Sequence, residues 1–358
     1  MRLAEPLPLT CGRTLPVEVV FNTYGTLSPA RDNAVLVLHG LTGDHHAAGP
    51  PRADGGKPGW WDAAIGPGKA LDTDALCVVC PNVIGGAAST GPSSLDPATG
   101  KAYALTFPVV TVADMVAAQI KLADALQIAR FHTVIGGCFG GFQVLEWLAQ
   151  APDRVDRAVV ISATAKTSAH NTALWAVLRA AIMSDPAFKD GQYGTEQPAS
   201  GIGLLAMTGA LFWMSRETLE NRFGTRTVDG KAPRYTLDTD FTVEDFLDRV
   251  RQNAASGHLD ANSLIYLTRA IDYFDMARDH GSLRTAFEGV RAPVLLVSYA
   301  SDWRYPAEEM AEIAAAMPDG TVQHEVLESP LGHGAFIYEF QTLAPLLKAF
   351  VEAPVTPR

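Results

Sequence analysis

Short, wholly apolar runs recur along the chain, and between them lie stretches with helical periodicity. "NAVLVLHG" (33–40), "ALCVVCPNV" (75–83), "FHTVIGG" (131–137) and "VDRAVVISAT" (155–164) read as buried strands. "TVADMVAAQIKLADALQI" (111–128) and "FQVLEWLAQ" (142–150) read as helices, the first with Thr111 as N-cap and Asp114 in its first turn. "LPVEVVFNTYG" (15–25) suggests an antiparallel start, and "AAGPPRADGGKPGW" (47–60) a Gly/Pro-rich loop. Strand–helix alternation of this kind builds a mostly parallel sheet with helices on both faces.

The alternation stops near residue 166, and "ALWAVLRAAIM", "GIGLLAMTGALFWMS", "TVEDFLDRVRQNAAS" and "ANSLIYLTRAIDYFD" follow as helices. It resumes with "APVLLVSYASDWRYP" (292–306), a helix, "TVQHEVLES" and a terminal helix. The expected organisation is one α/β core, 1–165 and 286–358, interrupted by a helical lid, 166–285.

Composition narrows the classes. With 47% hydrophobic residues among 358 and a net charge of −11, a large core is expected, and a nucleic-acid or anionic-membrane partner is not. No apolar run reaches the roughly 18 residues a membrane helix needs, and no signal-peptide pattern opens the chain. Four scattered cysteines give no disulfide framework, so a cytoplasmic setting is expected. Cys77 and Cys80 fall three apart in a strand and face opposite ways, which argues against a shared metal; none is expected elsewhere.

"VIGGCFGGFQVLEW" (134–147) carries the chemistry. Gly136-Gly137-Cys138-Phe139-Gly140 is small-x-nucleophile-x-small, the spacing of a strained strand-to-helix turn that presents a nucleophile. The following helix aims its N-terminus at the thiol, which favours a thiolate. The thiol looks exposed at the tip of this turn. No Lys-Ser/Thr follows, which excludes a phosphate loop. In sheets of this kind the acid and the base follow the nucleophile in that order. Asp302 lies just past a late strand and His333 sits in "LESPLGHGAF", so Cys138 would attack, His333 would move the proton and Asp302 would fix the imidazole. Asp272 and Asp275 read as a solvated or capping helix face, and His39 as a brace for its loop. The oxyanion donors expected are the amides of Phe139 and of Leu41 in "VLVLHGLTGD", with Thr42 adjacent.

These motifs, together with "FNTYGTL", "PGWWDAAIGPGKALDTD", "STGPSSLDPATGKAYALTFPVVTVADMV", "YLTRAIDYFD", "SDWRYP" and "GHGAF", resemble the homoserine O-acetyltransferase family over almost the whole chain. The resemblance implies an α/β-hydrolase fold, the Cys138–Asp302–His333 triad, a homodimer built through the lids, and ping-pong transfer from acyl-CoA as cosubstrate to an amino-acid hydroxyl, without a bound cofactor. Four positions depart from the family pattern. Cys138 stands where serine is usual. An ungapped alignment puts Ala206 and Trp213 at the lid arginine and tyrosine that help bind homoserine, and Gly334 at the aspartate after the histidine. Losing charge-assisted hydrogen bonds at about 1.5–3 kcal/mol each would empty a zwitterion site. The resulting expectation is an acyltransferase on a small-molecule acceptor other than homoserine. An esterase or thioesterase, a homoserine acyltransferase despite these losses, and a silent binding protein stand as alternatives.

Overall fold

The computed structural model describes residues 1–51, 57–255 and 259–354. A short ribbon pairs β1 (Leu7–Pro8) with β2 (Thr14–Leu15). Seven strands then form one sheet: β3 (Phe21–Tyr24), β4 (Ala34–Leu38), β5 (Cys77–Pro81), β6 (Thr133–Gly137), β7 (Ala158–Ile161), β8 (Val294–Tyr299) and β9 (Val322–Leu327). Their spatial order is β3-β5-β4-β6-β7-β8-β9, with β3 antiparallel to β5 and every other neighbour parallel. Strands β4 to β8 are buried at every residue, because helices cover both faces of a parallel sheet; hence the unbroken apolar runs in sequence. Edge strand β9 is only partly covered.

Helices α1 (Val112–Ala125), α2 (Phe139–Gln150), α10 (Ala307–Ala316), α11 (Ala335–Tyr338) and α12 (Phe340–Glu352) interleave with the strands. Thr111 and Asp114 close a reciprocal capping box at α1. Between β7 and β8 the chain carries α3 (Ala169–Met183), α4 (Ala199–Trp213), α5 (Arg216–Arg222), α6 (Thr242–Ala255), α7 (Ala261–Asp272), α8 (Met276–His280) and α9 (Leu283–Phe287). Helix α3 packs on α4 and α7, and α4 on α6, whereas α9 returns to the core against α2 and α10.

The chain winds outward in both directions from β4, so the loops after β4, β6, β8 and β9 meet at one edge. Ligands bind at this switch point in open α/β sheets.

Three local expectations need correcting. Helix α2 begins at Phe139 rather than 142, because the elbow residue itself is the N-cap. Asp272 is buried and bonded to Arg179 at 2.6 Å instead of solvated, while Asp275 caps α8 as expected. The Cys138 thiol is buried, at 3% exposure, with the equally buried His333 of the loop after β9 facing it; the exposed cysteine is Cys11. Residues 52–56 of the Gly/Pro-rich loop and Ser256 of the third expected lid helix lie outside the described residues.

Candidate active site

Backbone geometry at the elbow explains its glycines. Cys138 has φ 56° and ψ −124°, a conformation few side chains tolerate. A Cβ on Gly140 would sit 2.0 Å from the Leu38 carbonyl oxygen, and one on Gly136 would sit 2.5 Å from the Gly140 carbonyl. Strand and helix therefore approach as closely as they do only because both positions lack side chains. Cys138 N–H donates to Ile161 O at 2.9 Å, which fixes the turn to β7.

His333 and Asp302 arrive from the loops after β9 and β8. His333 Nδ1 donates to Asp302 Oδ2 at 2.8 Å, and both side chains are fully buried. The other carboxylate oxygen accepts the backbone N–H groups of Arg304 and Tyr305, at 3.0 and 3.1 Å. This fixes the imidazole with Nε2 turned toward the Cys138 thiol and bonded to no other group among the described residues.

Burial pushes the Cys138 thiol up, but the facing imidazolium of His333, the Arg304 guanidinium and the Phe139 N–H outweigh it, and the thiol ends below its ordinary value. Burial pulls His333 down, yet Asp302 and the Cys138 thiolate raise it to about 9. Burial raises Asp302, but its His333 partner and the two amides hold it below the usual carboxylate range. The arrangement is a buried thiolate–imidazolium pair.

The structure brings most of the expected site residues to this edge. The Phe139 N–H lies against the thiol. A Cβ on Gly40, one residue before Leu41, would come within 4.0 Å of Cys138 Cβ. Leu41 and Thr42 line a cavity with His39 and Asp44. His39 braces the loop: Nδ1 bonds Gly40 O at 2.8 Å and Nε2 accepts from Val83 N–H at 3.2 Å. The Trp213 ring stands edge-on to His333, centroids 5.8 Å apart. A Cβ on Gly334 would meet Tyr338 at 3.0 Å and Trp213 at 3.5 Å, so these rings occupy the space a larger residue would need. Ala206 lies seven residues earlier on α4, roughly 10 Å along the helix axis from Trp213.

Sequence reasoning stopped at Asp302 and missed its neighbours. Arg304 is 4% exposed, and among the described residues its Nε and Nη2 have no partner in good hydrogen-bond geometry, with the Tyr305 hydroxyl beside the guanidinium. Its guanidinium carbon lies 4.7 Å from the Trp175 ring centroid and 5.1 Å from that of Tyr305. The Tyr305 ring in turn stands tilted by 59° to that of His333, centroids 5.1 Å apart. Asn171 on α3 donates to the Arg304 carbonyl at 3.3 Å. Among the described residues Asn171 Oδ1 and Trp175 Nε1 are also buried without partners. An arginine two residues past the acid, "SDWRYP", was the available signal.

A strained elbow thiol, an imidazole held by a buried carboxylate and loops gathered at a sheet switch point define an α/β-hydrolase-fold enzyme. The sequence pattern of the alpha/beta hydrolase fold matches residues 33–340. The chain is 42% identical over 354 residues to the homoserine O-acetyltransferase of Methanosalsum zhilinae, covering 98% of this chain and 71% of that one. It is 42% identical to the homoserine O-succinyltransferase of Acidithiobacillus ferrooxidans, over 97% and 92%. Among solved structures, a homoserine O-acetyltransferase from Bacillus anthracis superposes with a TM-score of 0.89 at 28% identity, over 99% and 98% of the two chains. Esterase E22 superposes with 0.86 at 28%, over 98% of each. The chain belongs to the homoserine O-acyltransferase family, whose members carry acetyl or succinyl groups.

That membership overturns the expectation of an acceptor other than homoserine, since relatives 42% identical over almost the whole chain act on homoserine by name. The physical error lay in counting charges at positions 206, 213 and 334 alone. Those positions show where charge is missing, not where else around the nucleophile it stands, because a charge that meets a ligand is placed in space and not at a fixed sequence position.

Proposed function

We propose that the protein is a homoserine O-acyltransferase working through a Cys138 acyl-thioester, with a preference for an acyl donor ending in a carboxylate, of the succinyl class. Arg304 is the observation that carries the donor preference. A buried guanidinium with two unpartnered N–H-bearing nitrogens is costly unless a ligand anion completes it. Its neighbours offer a phenol and an indole N–H beside it, a donor set suited to a carboxylate.

The chemistry proceeds in two halves. The Cys138 thiolate attacks the acyl-CoA carbonyl, and the oxyanion takes the N–H groups of Phe139 and Leu41. The intermediate collapses, the C–S bond to CoA breaks, and CoA leaves as a thiol with the proton from His333 Nε2. The acyl group remains on sulfur as a thioester, near acyl-CoA in energy. Homoserine's hydroxyl then attacks while His333 Nε2 takes its proton, and the thiolate departs as the O-ester forms.

Trp213 and Gly334 shape the wall beside His333, with Thr42 on the opposite wall. We divide the chain as 1–165 and 286–358 core with a 166–285 lid, and place it in the cytoplasm as a homodimer through the lids. Leu204 and Leu211 of α4, 49% and 40% exposed, support that lid surface. Among the described residues no helix is long and apolar enough to cross a membrane.

Intact mass after incubation with succinyl-CoA or acetyl-CoA tests the reading. A covalent acyl adduct absent from Cys138→Ala is expected, larger in yield with succinyl-CoA, and chased to an O-ester by homoserine. Release of free acid alone, with no ester, would overturn transfer in favour of hydrolysis.

A further inference from the structure

A cavity of about 170 Å³ lies between the oxyanion loop, the loop after β5 and α7, and Trp213 is not among its lining residues. It is smaller than sites for drug-sized ligands, which run from about 300 Å³. Leu41, Leu264 and Leu267 are among its apolar walls, and Asp44 and Asp260 are the ionisable acids on it; none of its lining residues is lysine or arginine. The one imidazole there, His39, is held neutral: burial lowers its pKa, and its Nε2 accepts a backbone N–H. The electrostatic preference of this cavity is for a cation.

Both acids are already hydrogen-bonded to the protein. Asp260 is the N-cap of α7, its Oδ2 accepting Ser263 N–H at 2.8 Å and its Oδ1 accepting Tyr193 O–H at 2.6 Å. Asp44 sits at the end of a tight turn, closed by Gly43 N–H on Gly40 O at 3.0 Å, three residues beyond Leu41. Its Oδ1 accepts His46 N–H at 2.7 Å, which orients the carboxylate. A second feature points to a ligand. Ser263, 4% exposed and on the cavity wall, has a buried hydroxyl with no partner.

We infer that this cavity is the acceptor's ammonium subsite, with Asp44 as counter-ion and the Ser263 hydroxyl as a further hydrogen-bond partner. The inference rests on the reading above that the acceptor is an amino-acid alcohol. A compact chain fits the leucine walls, and its ammonium meets the acid while its hydroxyl extends past Leu41 toward the thioester. It also accounts for Gly334: with Tyr338 and Trp213 filling that space, the positive end of the acceptor is held from the other wall.

The test compares homoserine with 4-hydroxybutyrate, which keeps the hydroxyl and carboxylate but lacks the ammonium, as acceptors for the full-length enzyme. For Asp44→Asn, which keeps the acceptor oxygen for His46, the ratio of kcat/KM for homoserine over 4-hydroxybutyrate should fall roughly 10- to 100-fold. Ser263→Ala should lower it a few-fold. An unchanged ratio overturns the subsite. So does an equal loss on both acceptors, because Asp44 would then only shape the loop. If the wild type esterifies neither acceptor, the functional reading fails instead, so the two failures are distinct.

Discussion

Only Trp303 separates Asp302 from Arg304, yet the two stand in opposite states. Both Asp302 oxygens are bonded, to two backbone N–H groups and to His333. Arg304, equally buried, leaves two nitrogens unpartnered against two aromatic rings. A buried group with its bonds complete positions another group; a buried group without them is completed by something that arrives. The loop after β8 therefore has a closed half that orients His333 and an open half that the proposed acyl carboxylate would complete.

The largest expected effect removes the pair that the closed half serves. Cys138→Ala should lower acyl transfer by about three orders of magnitude or more, as triad losses do, and abolish the acyl adduct. His333→Ala should match it, and the double variant should lose little further. Steady-state assays with either CoA thioester check this. Retention of more than a tenth of the rate in either variant would mean that the closed half is structural.

Next comes the open half. Arg304→Leu should cost about 100-fold in kcat/KM for succinyl-CoA, the upper range for a charge-assisted contact of about 1.5–3 kcal/mol. Acetyl-CoA should lose far less. The guanidinium also lowers the Cys138 thiol, so some loss on acetyl-CoA is expected, and only the excess on succinyl-CoA reports the carboxylate contact. Equal losses would reduce Arg304 to a thiolate stabiliser.

The contrast also explains what was legible beforehand. Strands at 34–38, 77–81, 133–137 and 158–161 were readable because a twice-covered parallel sheet forces continuous apolar runs. The elbow was readable because close backbone approach leaves room for glycine alone. Asp302 and His333 followed from chain order, a property of the fold. The acceptor went wrong for a different reason. Charges that bind a ligand need no fixed position in sequence, only in space, so their absence at three aligned positions did not exclude the acceptor. Likewise Asp272 was read as solvated because its partner Arg179 lies 93 residues away.

A smaller effect should appear in the titration of the pair. The Cys138 thiolate is one cause of the raised His333 value, with Asp302. Acylation should hold a plateau, fall as pH drops through the lowered thiol value, and fall again as pH rises through about 9, where His333 loses the proton it gives to CoA. In Cys138→Ala the imidazole should titrate at lower pH by NMR, because one of its two anionic partners is gone. No displacement would show that the imidazole answers to Asp302 alone.

Smallest of all is the effect that separates packing from hydrogen bonding in the open half. Trp175 offers Arg304 a π-face, worth about 0.5–2 kcal/mol in general, and separately holds a buried N–H without a partner. Trp175→Phe keeps a ring near the guanidinium and removes the N–H. If the indole donates to the acyl carboxylate, kcat/KM for succinyl-CoA should drop about 3- to 10-fold, with acetyl-CoA steady and the melting temperature close to wild type. If the ring only supports Arg304, both donors should respond alike. The same substitution in an Arg304→Leu background decides between them. A carboxylate already lost to the arginine leaves nothing for the indole to hold, so the second change should then add little.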